Sequence, residues 1–205
     1  MKVMLVNGSP HEKGTTNAAL EAVCKSLNDE GIETEIYWLG KEPVQDCIGC
    51  AACVKLGKCV FDDMVNEFTA KAAECDGFVF GTPVYYAHPT GRIQDFLDRA
   101  FYSGSKAFAF KPAASVAVAR RAGVITSFDT LNKYMTINQM PIVSSTYWNN
   151  VFGSNAEDTV QDEEGIQTMI NIGKNMAWMM KCIEAGKAAG IDHPENEKKR
   201  TCFVR

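Results

Sequence analysis

Residues 1–17 decide the fold and read MKVMLVNGSPHEKGTTN. Lys2–Asn7 is a short apolar run, which is typical of a buried strand in a parallel sheet with helices on both faces. After a small, hydroxyl-rich loop, apolar residues recur at spacings of three and four over Thr16–Asn28, which predicts a helix. A strand, a loop and a helix in this order predict the first βαβ unit of a parallel sheet.

The same alternation of strands and helices continues along the chain. Further strands are predicted at Glu33–Leu39, Gly77–Thr82, Ala114–Ala119 and Met140–Ser145. Further helices are predicted at Asp62–Cys75, Thr90–Phe101, Ser127–Asn138 and Gly165–Ala189. No linker rich in Pro, Gly or Ser divides the chain. We therefore predict one α/β domain over residues 1–205, with five strands and with helices on both faces of the sheet.

Composition excludes several classes of function. The net charge is −4, whereas a nucleic-acid-binding protein would be expected to be strongly basic. The basic residues at 198–200 are interpreted as a solvated tail. The sequence contains no stretch of about 20 apolar residues, which is the length needed to span a membrane. Four of the eight cysteines lie between Cys47 and Cys59 in a chain with no secretion signal, which favours metal or redox chemistry in a reducing cytoplasm. The other four, expected to be buried small hydrophobic residues, are Cys24, Cys75, Cys182 and Cys202.

The loop after the first strand is suited to binding a phosphate. Backbone N–H groups at a helix N-terminus attract an anion, and side-chain donors are available from Ser9, Thr15, Thr16 and Asn17. Gly8 and Gly14 do not fit the P-loop spacing, and the dinucleotide fingerprint G-x-G-x-x-G is absent. Neutral donors of this kind suit a monophosphate. The alternative is a Ser/Thr helix cap beside a solvated loop.

This arrangement resembles the FMN phosphate loop of the NAD(P)H-dependent FMN reductase and iron–sulfur flavoprotein group. The resemblance covers most of the chain and implies a flavodoxin-like fold with strand order 2-1-3-4-5. It assigns the FMN phosphate to a set of loop residues: Ser9, Pro10, Gly14, Thr15, Thr16 and Asn17. It also implies assembly as a homodimer or homotetramer.

Two later loops match the same family in order. Pro83, Val84, Tyr85 and Tyr86 are similar to its isoalloxazine loop, and His88 nearby is interpreted as a polar loop residue rather than a general acid. Ala119-Arg-Arg-Ala-Gly123 resembles the family's Arg-Arg-x-Gly loop. Arg120, Arg121 and Gly123 are therefore assigned to the cofactor, with surface salt bridges as the alternative for the arginines. Tyr147-Trp148-Asn149 also resembles a family segment, and we expect a structural or subunit-contact role for it.

The cysteines at 47, 50, 53 and 59 form a C-x2-C-x2-C-x5-C motif, whose opening spacing is similar to cluster ligation in ferredoxins. The motif resembles the compact cysteine motif of iron–sulfur flavoproteins, which implies that Cys47, Cys50, Cys53 and Cys59 bind a [4Fe–4S] cluster. A loop of free thiols and a structural zinc site are the alternatives, although structural zinc usually takes its ligands as two separated pairs.

The leading hypothesis is an FMN-dependent oxidoreductase without dedicated catalytic side chains, because the flavin carries the chemistry. NAD(P)H or another reduced donor would supply electrons, and FMN would pass them to free flavin, a quinone, a nitro or azo compound, or oxygen, directly or through the cluster. The alternative is a non-enzymatic electron carrier that serves protein partners.

Overall fold

The computed structural model describes residues 1–199 and 201 and contains a mostly parallel sheet. Its strands are β1 (Lys2–Asn7), β2 (Glu33–Trp38), β3 (Gly77–Tyr85), β4 (His88–Pro89), β5 (Ala113–Ala119) and β6 (Asn150–Phe152). Its helices are α1 (Thr15–Asp29), α2 (Cys53–Leu56), α3 (Met64–Ala72), α4 (Gly91–Gly104), α5 (Val124–Ile137), α6 (Ala156–Thr159) and α7 (Glu163–Ala188).

The strand order is β2-β1-β3-β5-β6, with β4 folded back antiparallel on the end of β3. The predicted order 2-1-3-4-5 is confirmed once the two-residue β4 is set aside. The register pairs Asn7 of β1 with Gly81 of β3, and Thr82 with Ala117 of β5. The loops that follow β1, β3 and β5 therefore leave the same edge of the sheet, where open parallel sheets bind their ligands.

The predicted fifth strand at Met140–Ser145 is wrong in position. Only Ile142 forms an isolated bridge, with Ala113, and the strand proper begins at Asn150. Pro141 has no N–H to donate, and beyond Val143 the chain turns to α7, where the Ser145 hydroxyl donates to the carbonyl of Thr168 at 2.7 Å. Tyr147 and Trp148 consequently precede β6 instead of following the last strand.

Alternating side chains of the strands point to opposite faces of the sheet and pack into two hydrophobic cores. On one face, Val3 and Leu5 pack with α1 and α7, while on the other Met4 and Val6 pack with α3, α4 and α5. Each fully buried aliphatic or aromatic side chain contributes about 1.5–3 kcal/mol to stability, so both faces hold the sheet firmly. In the described part of the chain, no helix is long and apolar enough to cross a membrane.

The prediction that the four cysteines outside the 47–59 motif are buried is only partly confirmed. Cys75 is buried and Cys24 is half-buried, but Cys182 is exposed on the outer side of α7, and Cys202 lies outside the described residues. Arg200 of the basic cluster also lies outside them, whereas Lys198 and Lys199 are exposed.

Candidate functional site

The loop after β1 is shaped by its own polar groups. The Asn7 side chain accepts a hydrogen bond from the Ser9 N–H at 3.0 Å and donates to the Glu12 carbonyl at 3.2 Å. The indole N–H of Trp38, at the end of β2, donates to the Ser9 carbonyl at 2.8 Å. Ser9 is almost fully buried, and its Oγ accepts from the His11 N–H at 3.1 Å. These contacts fix the backbone that leads into α1.

Gly8 allows the loop after β1 to pack closely against β3 and α4. A Cβ at this position would lie 2.8 Å from Ile93 of α4 and 2.9 Å from the Gly81 carbonyl, so only glycine fits. The Thr90 hydroxyl donates to the Gly8 carbonyl at 3.0 Å, and the Thr90 N–H donates to the hydroxyl of Thr82 at 3.2 Å. Thr90 also caps α4 by accepting from the Ile93 N–H at 3.4 Å. One residue thereby joins the loop after β1, the end of β3 and the start of α4.

Among the described residues, the backbone N–H groups in the first turn of α1 have no hydrogen-bond acceptor. The cap residue is Gly14, which has no side chain to accept a hydrogen bond, and the first backbone bond runs from the Ala18 N–H to the Gly14 carbonyl at 3.0 Å. Thr16 is fully buried, and within the described residues its Oγ1 has no hydrogen-bond partner. Backbone N–H groups and a buried hydroxyl at a helix N-terminus fit a phosphate, which would satisfy them together. The alternative of a Ser/Thr helix cap has no support, because no such cap bond forms.

The second loop is a tight hairpin between β3 and β4, in which Tyr85 pairs with His88. Its central residues, Tyr86 and Ala87, have positive φ values of 48° and 62°, a region that non-glycine residues enter only at a cost. The side chain of Tyr86 is fully exposed at the tip, and Tyr85 is half exposed. The hairpin thus presents aromatic side chains above the ligand edge of the sheet, where they could stack on a planar ring.

The third loop follows β5 and packs against this hairpin. Gly123 has a φ of +86°, and a Cβ there would lie 2.6 Å from the Cα of Ala87. Arg120 and Arg121 are both exposed, and neither forms an ion pair with any described residue. Two unpaired guanidinium groups beside the hairpin could balance a phosphate or a negatively charged ring.

The cysteine motif lies on the segment between β2 and α3. Cys47, Cys53 and Cys59 are partly buried, and Cys50 is exposed. Within residues 1–199 and 201, no three His, Cys, Asp or Glu side chains converge as a single metal ion requires. A [4Fe–4S] cluster is larger than a single ion, and four cysteine thiolates would bind it. Four thiols within thirteen residues supply the donor set that such a cluster needs, and the chemistry of this loop fits it.

Cys59 is held more firmly than the other cysteines of the motif. Its N–H donates to the Asn66 side chain at 2.9 Å, and that side chain donates back to the Cys59 carbonyl at 3.1 Å. Its Sγ accepts from the Nε of Arg99 at 3.2 Å. Arg99 also forms a bidentate pair with Asp63, both distances being 2.7 Å. Partial burial opposes ionisation of Asp63, yet the hydrogen bonds from Arg99 and from the Val65 N–H hold its pKa below the usual range.

Comparison with known proteins shows the family and the fold of this chain. The family described as NADPH-dependent FMN reductase matches residues 1–154. An iron–sulfur flavoprotein of Methanocaldococcus jannaschii is 30% identical over 195 residues, which cover 90% of this chain and 100% of that protein. A solved flavodoxin from the domain Archaea superposes with a TM-score of 0.60 at 13% identity, covering 88% of this chain and 99% of that one. A solved NADH:FMN oxidoreductase superposes with a TM-score of 0.65 at 16% identity, and the match covers 87% of this chain and 89% of that one.

The fold and the site define a flavodoxin-like flavoprotein. The chain belongs to the NADPH-dependent FMN reductase family. It is an FMN-dependent oxidoreductase, as the family resemblance in the sequence predicted.

Sequence reasoning missed several residues that shape this site. Asn7, Trp38 and Thr90 position the loop after β1, and Arg99 anchors the cysteine segment. A sequence signal was present for one of them, because Asn7 is a polar residue at the end of an apolar strand.

Proposed function

We propose that this chain oxidises NAD(P)H with FMN bound along the edge formed by the three loops. Phosphate binding is assigned to the first loop: Ser9, Pro10, Gly14, Thr15, Thr16 and Asn17. Ring binding is assigned to the hairpin and the third loop: Pro83, Val84, Tyr85, Tyr86, Arg120, Arg121 and Gly123. The observation that carries the proposal is the buried, unpartnered hydroxyl of Thr16 at the uncapped start of α1.

The chain's own groups would bind, orient and shield the cofactor. Backbone N–H groups of α1 and the Thr16 hydroxyl would donate to the phosphate, and the β3–β4 hairpin would cover one side of the ring. Arg120 or Arg121 would balance negative charge on the ring or on the donor's phosphate. When bound, FMN supplies hydride acceptance and onward transfer of one or two electrons.

The acceptor is proposed to be a small molecule such as free flavin, a quinone, a nitro or azo compound, or oxygen. Cys47, Cys50, Cys53 and Cys59 would hold a [4Fe–4S] cluster, which supplies one-electron transfer. The M. jannaschii relative carries the words iron–sulfur flavoprotein in its name, and its similarity spans 90% of this chain. We further propose that the protein works as a homodimer or homotetramer in a reducing cytoplasm that keeps the cysteine thiols free.

Anaerobic purification tests both halves of the proposal. We expect one FMN and four iron and four sulfide per chain after reconstitution, and steady oxidation of NADH or NADPH when a quinone or free flavin is added. A protein that binds no FMN would contradict the proposed site. A protein that binds FMN but no iron would contradict the proposed cluster and leave the flavin site supported. A protein that binds FMN but does not oxidise NAD(P)H would favour the electron carrier.

A further inference from the structure

The segment from residue 39 to residue 63 carries the cysteine motif and contains little regular structure besides α2. Two arginines of α4, seven residues apart on the same side of the helix, hold it in place. Within the described part of the chain, Arg92 donates hydrogen bonds only to backbone carbonyls at the start of the segment: Leu39 at 3.4 Å, Lys41 at 2.6 Å and Glu42. Arg99 reaches the end of the segment, where it contacts a sulfur atom.

Arg99 is unusual because its side chain is fully buried and every N–H of its guanidinium group has a partner. Nη1 donates to the Gln45 carbonyl at 3.2 Å and Nη2 to the Phe61 carbonyl at 3.3 Å. The two remaining Nη donors bind Asp63, and Nε donates to the Sγ of Cys59. Since a guanidinium group has five N–H donors, none is left over. Asp63 neutralises the buried charge, which would otherwise be strongly destabilising.

An arginine that served only as an anchor would be expected to contact carbonyls, as Arg92 does. A neutral thiol is a weak acceptor, whereas a thiolate is a strong one, so an N–H directed at Sγ suits a cysteine that binds a metal. We propose that Arg99 is a positioning residue that fixes Cys59 and, through this N–H···S bond, raises the reduction potential of the cluster. The inference rests on the cluster that is part of the proposed function.

The physical reason is the charge that an added electron brings. One electron taken up by the cluster adds one negative charge, which is shared with the thiolate sulfurs, and hydrogen bonds to those sulfurs stabilise the reduced form. Asp63 acts in the opposite direction, because its carboxylate offsets the positive charge of Arg99. Loss of Arg99 should therefore lower the potential, and loss of Asp63 should raise it.

The test is a one-electron redox titration with dithionite of the reconstituted, FMN-loaded protein, followed by the electron paramagnetic resonance signal of the reduced cluster. At a fixed potential, Arg99→Gln should lower the ratio of reduced to oxidised cluster about tenfold, or about 59 mV for a one-electron couple. Asp63→Asn should shift the ratio the other way, because it removes the negative charge that offsets Arg99. Asparagine keeps the helix cap of α3, so the helix should not change. Arg92→Gln is the matched control and should leave the potential unchanged.

Shifts of opposite sign cannot come from a loosened loop, which would move both variants alike. Full iron content with an unchanged potential in Arg99→Gln, or shifts of the same sign in Arg99→Gln and Asp63→Asn, would overturn the inference and leave the cluster standing. If Arg99→Gln does not retain iron, Arg99→Lys, which keeps the charge and removes the sulfur contact, takes its place. If that variant also loses iron, an unchanged potential in Asp63→Asn overturns the inference. A wild-type protein without iron overturns the cluster and the inference together, whereas its FMN content tests the flavin site separately.

Discussion

Replacing Thr16 by valine tests the proposed phosphate site, because the change should raise stability and lower FMN affinity. Valine keeps the branched shape of the side chain and removes the hydroxyl that is buried without a partner. Such a hydroxyl costs about 1–3 kcal/mol of desolvation, so the free energy of unfolding of the FMN-free protein should rise by about 1 kcal/mol. Thr and Val have similar helix propensities, and the helix itself should not change.

FMN affinity should fall in the same variant. A hydrogen bond to a charged group contributes about 1.5–3 kcal/mol, which corresponds to a Kd for FMN about 10-fold to 150-fold higher. Riboflavin lacks the phosphate, and its affinity should therefore be the same for Thr16→Val and the wild type. The discriminating quantity is the ratio of the two dissociation constants.

The assay combines urea unfolding of the FMN-free protein with fluorescence titrations of FMN and riboflavin. Thr136→Val, at an exposed position near the end of α5, is the matched control and should change neither stability nor affinity. The reasoning is refuted if Thr16→Val binds FMN as tightly as the wild type. It is also refuted if affinity for riboflavin falls as much as affinity for FMN, because the contact would then not involve the phosphate.

Three further changes test other parts of the structure. Gly123→Ala should lower the free energy of unfolding by at least about 2 kcal/mol in urea, because its Cβ would lie 2.6 Å from the Cα of Ala87 at a φ of +86°; an unchanged midpoint would contradict this packing. Ala87→Gly relieves a positive φ and should raise the free energy of unfolding by up to about 1 kcal/mol, and a lower midpoint would count against the strain. Hydrogen bonds from Lys2 and Lys71 lower the pKa of Glu35, so its ionised form stabilises the fold above about pH 4.3 and this stability is lost as the pH falls through the lowered pKa. Glu35→Gln should flatten the dependence of unfolding free energy on pH in that acid range, and parallel curves for variant and wild type would exclude the contribution.

Much of the fold could be predicted because the signals are local. The strand Lys2–Asn7 was predicted to the residue, since its apolar run is bounded by a lysine and by a polar residue followed by glycine. The error at Met140–Ser145 has a tertiary cause. This apolar run resembles a strand, but contacts with α7 draw the chain away from β5, and pairing resumes only at Asn150.

The candidate site could be predicted only as far as its loops. Chain order placed the loops after β1, β3 and β5 at one edge, because parallel strands share the direction of their carboxyl ends. The contacts of Arg99 could not be predicted in this way, since Cys59 and Asp63 lie 40 and 36 residues away in sequence. In a single sequence, an arginine in a helix is usually a solvated residue, and its burial becomes visible only with the packed structure.

Thr90 has a consequence for how ligands are selected. Its bonds to the Gly8 carbonyl and to the Thr82 hydroxyl fix the separation between the loop after β1 and the end of β3. The two ends of an elongated ligand would thus meet groups whose spacing is established during folding, not on binding. Such preorganisation reduces the entropy lost on association, and it makes the length of the ligand a criterion of recognition alongside its charge and its aromatic ring.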